Sequence, residues 1–166
     1  SPAKIIIAEG CGDPCTDTMA IYHRLGYTRL VEEKGIQLVD LNTEPVVRLE
    51  NPDCPRFPEY YLPEIALDHF IVSVPVLKPH SLSTFTGTLK NMVGFAPPAH
   101  YAGGGGIWNK AEFHIDIHQA IIDANRYRHA DLSIIDASVG LAEHHLGGRR
   151  CDPPVGKIAA GFDPMD

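Results

Sequence analysis

The sequence predicts an α/β fold of the three-layer, doubly wound type, with a mostly parallel sheet of about five strands and helices on both faces. Three observations carry this reading. Short apolar, β-branched runs recur along the chain with few polar residues inside them, as expected for strands covered on both faces. Stretches with helical spacing separate these runs. Each run ends on glycine or polar residues, and in such sheets the carboxyl ends of the strands are where ligands bind.

The first strand is predicted over residues 4–8, an apolar run that stops at Glu9 and Gly10. Residues 17–25 carry helical spacing, with Met19, Tyr22 and Leu25 on one side, Gly26 as the stop and Asp13 or Thr16 as the cap. A second short helix is predicted over 28–34, ended by Gly35, and the next strands over 36–41 and 69–76. Between those strands, residues 42–63 hold five prolines and read as an ordered but irregular excursion. A short helix follows over 88–93, where Gly94 can end it. Pro97, Pro98 and the run Gly103 to Gly106 predict a loop. The longest helix is expected over 111–126, with Phe113, Ile117, Ala120, Ile121 and Ala124 as its core stripe. Strands four and five are placed at 132–135 and 157–161.

Composition narrows the function classes. Of the 166 residues, 44% are hydrophobic and 21% charged, the balance of a globular domain. Fourteen basic and 21 acidic residues give a formal charge of −7, and Arg149-Arg150 is the only adjacent basic pair, so nucleic acid is not an expected partner. No apolar run approaches the roughly 20 residues of a membrane span, and the segment Ser1 to Lys4 lacks the regions of a signal peptide. Four cysteines in a chain this long do not make a disulfide scaffold, which points to free thiols and a cytoplasmic location. Nine histidines would add positive charge on acidification towards pH 6 to 7.

If the strands run parallel, the groups leaving them share one edge: Glu9 to Asp13, Asn42 to Glu44, Lys78 to His80, Asp136 to Ser138, and Asp163. The densest of these exits is the segment 74–94, which holds Lys78, Lys90, His80, Asn91 and five hydroxyls. Lys78, His80, Lys90 and Asp136 are the catalytic candidates, and Thr86, Gly87, Thr88, Asn91 and Asp163 the ligand-binding ones. Free backbone N–H groups and the positive end of a helix at Thr86, Gly87 and Thr88 suit an anion. Gly87 lets a ligand approach the backbone, and the lysines supply charge. On the competing reading Ser83, Thr84 and Thr86 only cap the helix and the lysines stay in solvent.

Other groupings point to metals. His114 and His118 stand four apart, as two imidazoles on one helix face would to reach one ion, although a solvated helix face has the same spacing. His144 and His145 follow Glu143 and, with Asp136, make a metal or proton-transfer group or a plain loop. Cys11 and Cys15 have three residues between them, which is not the redox spacing of two, and a cluster would need about four ligands. Gly103 to Gly106, between Tyr101 and Trp108, read as a lid or as an exposed turn.

The segment Pro75-Val76-Leu77-Lys78-Pro79-His80 followed by Thr86-Gly87-Thr88-Leu89-Lys90-Asn91-Met92-Val93-Gly94 resembles the hallmark of the domain of unknown function 362. Ile134-Ile135-Asp136-Ala137 and Ala160-Gly161-Phe162-Asp163-Pro164 are similar to its later pattern. The resemblance implies one α/β domain over 1–166 that is a piece of a longer chain, with an earlier strand and a later helix in other members. It also implies a redox setting, since members are often joined to a ferredoxin-type segment with iron–sulfur clusters. Two functions are therefore expected. One is an enzyme holding a small anionic or carbonyl substrate, with a divalent metal or a cluster on an adjoining segment as cofactor. The other is a non-catalytic module that binds an anionic ligand or docks to a ferredoxin-type carrier.

Overall fold

The structure, a computed structural model, describes residues 4–104 and 107–164. Strand β1 (Ile6–Glu9) pairs in parallel with β2 (Gln37–Asp40) across the helices α1 (Thr18–Arg24) and α2 (Thr28–Lys34). Asp17 caps α1 by accepting the Ala20 N–H at 2.7 Å. Gly35, at φ 65°, ends α2 in the left-handed conformation that glycine tolerates best. Buried Tyr22 donates its hydroxyl to the Val39 carbonyl at 3.0 Å and so ties α1 to the sheet.

Residues 42–63 are not an irregular excursion. They form an antiparallel hairpin of β3 (Val46–Glu50) and β4 (Glu59–Pro63). The prolines fit because Pro45 precedes the hairpin, Pro52, Pro55 and Pro58 lie in its connection, and Pro63 closes it. The hairpin contributes Phe57, Tyr60 and Leu62 to the core cluster that also holds Phe113, Ile117 and Ile121. Phe113 belongs to a 3-10 turn (Ala111–His114), and the other two to α5 (Ile117–Tyr127). The predicted 111–126 helix is thus two pieces, with Asp116 capping the second.

The remaining elements are β5 (Val72–Ser73), β6 (Lys78–His80), β7 (Thr84–Thr86), α3 (Thr88–Asn91), α4 (Pro98–Tyr101), β8 (Leu132–Ala137) and β9 (Lys157–Gly161). They correct the expected fold class. The described strands form four small sheets, β1-β2, β3-β4, β5-β8-β9 and β6-β7, in place of one mostly parallel five-stranded sheet. Strand β5 runs parallel to β8, but β9 runs antiparallel to it, with Lys157 opposite Ala137 and Gly161 opposite Ser133. The predicted third strand pairs only at Val72 and Ser73, with Val76 forming a lone bridge to Asp136 beyond Pro75. The apolar strands are not all covered either, since Val72, Val74, Val76 and Ile158 are exposed. Apolar character therefore did not report two-sided burial here. Among the described residues no helix is long and apolar enough to cross a membrane.

Candidate functional site

A cleft of about 540 Å³ opens where four stretches of chain meet. The hairpin β6-β7 and the helix α3 bring Lys78, His80, Thr86, Lys90 and Asn91. The exit of β1 and the segment before the 3-10 turn bring Glu9, Gly10, Asp13, Trp108 and Lys110. His114 closes that turn, and His144, His145 and Leu146 come from the loop after β8.

The hairpin explains how Lys78 and His80 arrive there. Lys78 pairs with Thr86 and His80 with Thr84, so the residues that follow β5 turn back as a strand of their own. The Nδ1 atom of His80 accepts the N–H groups of Leu82 and Ser83, each at 3.2 Å. With Nδ1 occupied as an acceptor, the neutral ring carries its proton on Nε2 and offers a donor. His80 lies in a column of imidazoles, with ring centroids 4.2 Å from His145 and 6.2 Å from His114, while His144 stacks 4.8 Å from His145. Burial, then the Lys90 charge, pushes His80 down to about 4. Burial lowers His114 and His145 as well, with Lys90 the next cause for the first and His144 for the second.

Lys90 is half-buried, and burial followed by repulsion from Lys78 lowers its pKa. Among the described residues neither the Lys78 nor the Lys90 side chain makes a hydrogen bond or an ion pair. The acidic groups of the cleft are engaged locally. Glu9 accepts the Gly10 N–H at 2.8 Å, and Asp13 accepts the Cys15 N–H and the Thr16 hydroxyl, both at 2.8 Å.

Lys110 works differently. It is 4% exposed, and its ammonium donates to the Asn42 side chain at 2.5 Å, to the Gly94 carbonyl at 3.3 Å and to the Ala96 carbonyl. Burial pushes it down to about 8 against the pull of Glu9 and Asp40. It clamps the exit of β2 to the turn after α3 beneath the cleft. Gly10 belongs to the same contact, because a Cβ there would lie 2.2 Å from the Gly94 carbonyl oxygen.

The other expected residues fall in varied places. Thr86 and Asn91 line the cleft, and Asn91 also donates to the buried Ser73 hydroxyl at 2.9 Å. Gly87 and Thr88 are buried outside the lining, and the Thr88 hydroxyl has no hydrogen-bond partner. The helix starting at Thr88 is a single turn that continues as a 3-10 turn (Met92–Phe95), so its dipole is small. Asp136 is absent from the lining, and its carboxylate accepts the Ser138 N–H at 2.9 Å. Asp163 follows β9, whose antiparallel course carries the chain to the end where β8 begins, away from Asp136.

His114 lines the cleft but exposed His118 does not, because the break before Asp116 puts them on separate helical pieces. All four cysteines are free: Cys15 is exposed, Cys11 and Cys151 are half-buried, and Cys54 is buried with its thiol pushed up by that burial. No three metal-ligating side chains among the described residues stand close enough to hold an ion. Gly105 and Gly106 of the glycine run lie outside the described residues.

Lys110 is a site residue that sequence reasoning missed, and Trp108 entered it only as a flank of the glycine run read as a lid or an exposed turn. Neither belongs to a motif, and no local pattern distinguishes a clamping lysine from a solvated one. A smaller cavity of about 150 Å³ lies beside the cleft, lined mostly by apolar residues such as Ile6, Leu41, Ile65 and Val72, and Asn91 borders both spaces. The sequence model of one family, Domain of unknown function (DUF362), matches residues 1–166. No curated protein matches the chain.

Proposed function

We propose that this chain, which belongs to the family of the domain of unknown function 362, binds a small anionic ligand in the cleft between β6-β7, α3 and the exit of β1. Lys78 and Lys90 supply the charge, and His80 and Thr86 supply neutral hydrogen-bond donors. The observation that carries this reading is the pair of lysines on one cleft, neither neutralised by a carboxylate among the described residues. Two such cations repel each other, and removing one from water adds to the cost. A carboxylate or phosphate between them relieves both penalties and gains charge-assisted hydrogen bonds.

The chain contains one tryptophan, Trp108, and it lines the cleft, so the negative charge of an anion bound there shifts its fluorescence even when the ring stays in water. Titration with inorganic phosphate at low ionic strength should change this fluorescence in a saturable way. Lys90→Met should weaken the response at least ten-fold while keeping the fold. The absence of any saturable response at tens of millimolar phosphate would overturn the proposal.

A further inference from the structure

We infer that the anionic ligand carries a flat aromatic ring next to its charged group; this rests on the anion reading of the same cleft. Lysines and a neutral imidazole account for the charged end. They do not account for what stands at the opening. Trp108, Leu82 and Leu146 all line the cleft, and they are 42%, 50% and 61% exposed. Exposed apolar side chains gathered around a polar cleft mark a surface that is covered when a ligand binds. A bare phosphate or acetate would leave them in water.

The volume agrees. About 540 Å³ is the size of a site for a drug-sized molecule, well beyond that of a single small anion. The aromatic component follows from how Trp108 is held. Among the described residues its indole has no aromatic neighbour in stacking or edge contact. Its segment is nevertheless pinned immediately after the tryptophan. The Asn109 N–H donates to the Gly12 carbonyl at 2.8 Å, and the Asn109 side chain to the Cys11 carbonyl at 2.9 Å. The Trp108 carbonyl accepts the Ala111 N–H at 3.2 Å. An indole presented on an anchored segment, with a free face and cationic groups in the same cleft, is a platform for a ring that bears a negative charge. Stacking on such a platform selects a flat ring over an aliphatic one of equal size.

The test compares three monoesters with the same charged head, methyl, cyclohexyl and phenyl phosphate, by calorimetry on the intact chain. Phenyl phosphate should bind at least ten-fold more tightly than methyl phosphate and clearly more tightly than cyclohexyl phosphate. Trp108→Leu should erase the phenyl advantage, so that this variant binds phenyl phosphate no more tightly than it binds methyl phosphate, whereas Trp108→Phe should keep most of the advantage. Lys90→Met should weaken all three. If methyl phosphate binds but phenyl phosphate is no tighter, or cyclohexyl phosphate equals it, the ring inference falls and the anion reading stands. If none of the three binds, the anion reading falls and the ring inference falls with it.

Discussion

Two backbone N–H groups determine what His80 can do. By donating to Nδ1, Leu82 and Ser83 hold the ring in the tautomer with a proton on Nε2. Burial and Lys90 then keep it neutral well below pH 6.5. The sign of the stability effect follows. Between the ordinary value of 6.5 and the folded value of about 4, the unfolded chain takes up a proton that the folded chain refuses. His80 therefore costs stability progressively as pH falls through that window, and His114 and His145 act in the same direction. Urea midpoints measured from pH 7 to pH 4.5 should fall, and His80→Asn, which keeps an acceptor for the two amides, should flatten the slope. The neighbours Lys90 and Asn91 separate in the same kind of experiment. Asn91→Ala leaves the buried Ser73 hydroxyl without its donor and should cost about 1–3 kcal/mol. Lys90→Met should cost little stability, since the cation has no partner to lose. Equal losses in the two variants would contradict this division.

At the scale of elements, the hairpin β6-β7 makes the site. It closes over Ser81, Leu82 and Ser83, with Thr84 at φ 67°. A β-branched residue in the left-handed region is strained by roughly 1–2 kcal/mol, and it sits opposite His80 in the ladder. Thr84→Gly removes that strain and adds the backbone entropy of glycine, leaving a net gain of roughly 0.5–1 kcal/mol. Thermal unfolding should show a higher midpoint with phosphate binding retained. A lower midpoint would mean that the threonine side chain itself holds the turn. This hairpin was only partly legible in the sequence. The clustering of Lys78, His80 and Thr86 was visible, but the alternation of polar and apolar residues in Lys78-Pro79-His80 and Thr84-Phe85-Thr86 lasts only three residues each time, too short to announce two strands.

For the whole molecule, the core and the sheet β5-β8-β9 make contrasting demands. Phe113 is completely buried between the β3-β4 hairpin and α5, in contact with the rings of Phe57, Tyr60 and Tyr101. Phe113→Ala should cost roughly 3–5 kcal/mol, the range for emptying an aromatic core position. Ile158 on β9 is 71% exposed, and Ile158→Ala should stay within about 0.5 kcal/mol of the parent. Denaturant unfolding of the two variants checks both figures. A large loss at Ile158 would show that this face of β9 contributes to the folded core.

The sequence by itself determined where most elements lie. The runs at β1, β2, β8 and β9 and the capped helices α1 and α2 follow from periodicity and stop residues, which act over a few positions. It also located the segment from Lys78 to Asn91 that supplies one wall of the cleft. Tertiary structure alone decided how the strands pair. Side chains alternate with the same period whichever way a strand runs, so nothing local in Lys157–Gly161 distinguishes a parallel from an antiparallel partner. That one choice moved Asp163 away from Asp136. The other wall was hidden for a related reason. Lys110 is a clamp only because Asn42, Gly94 and Ala96, distant in sequence, meet around its ammonium. Trp108 faces the cleft only because Asn109 fastens its segment to the exit of β1.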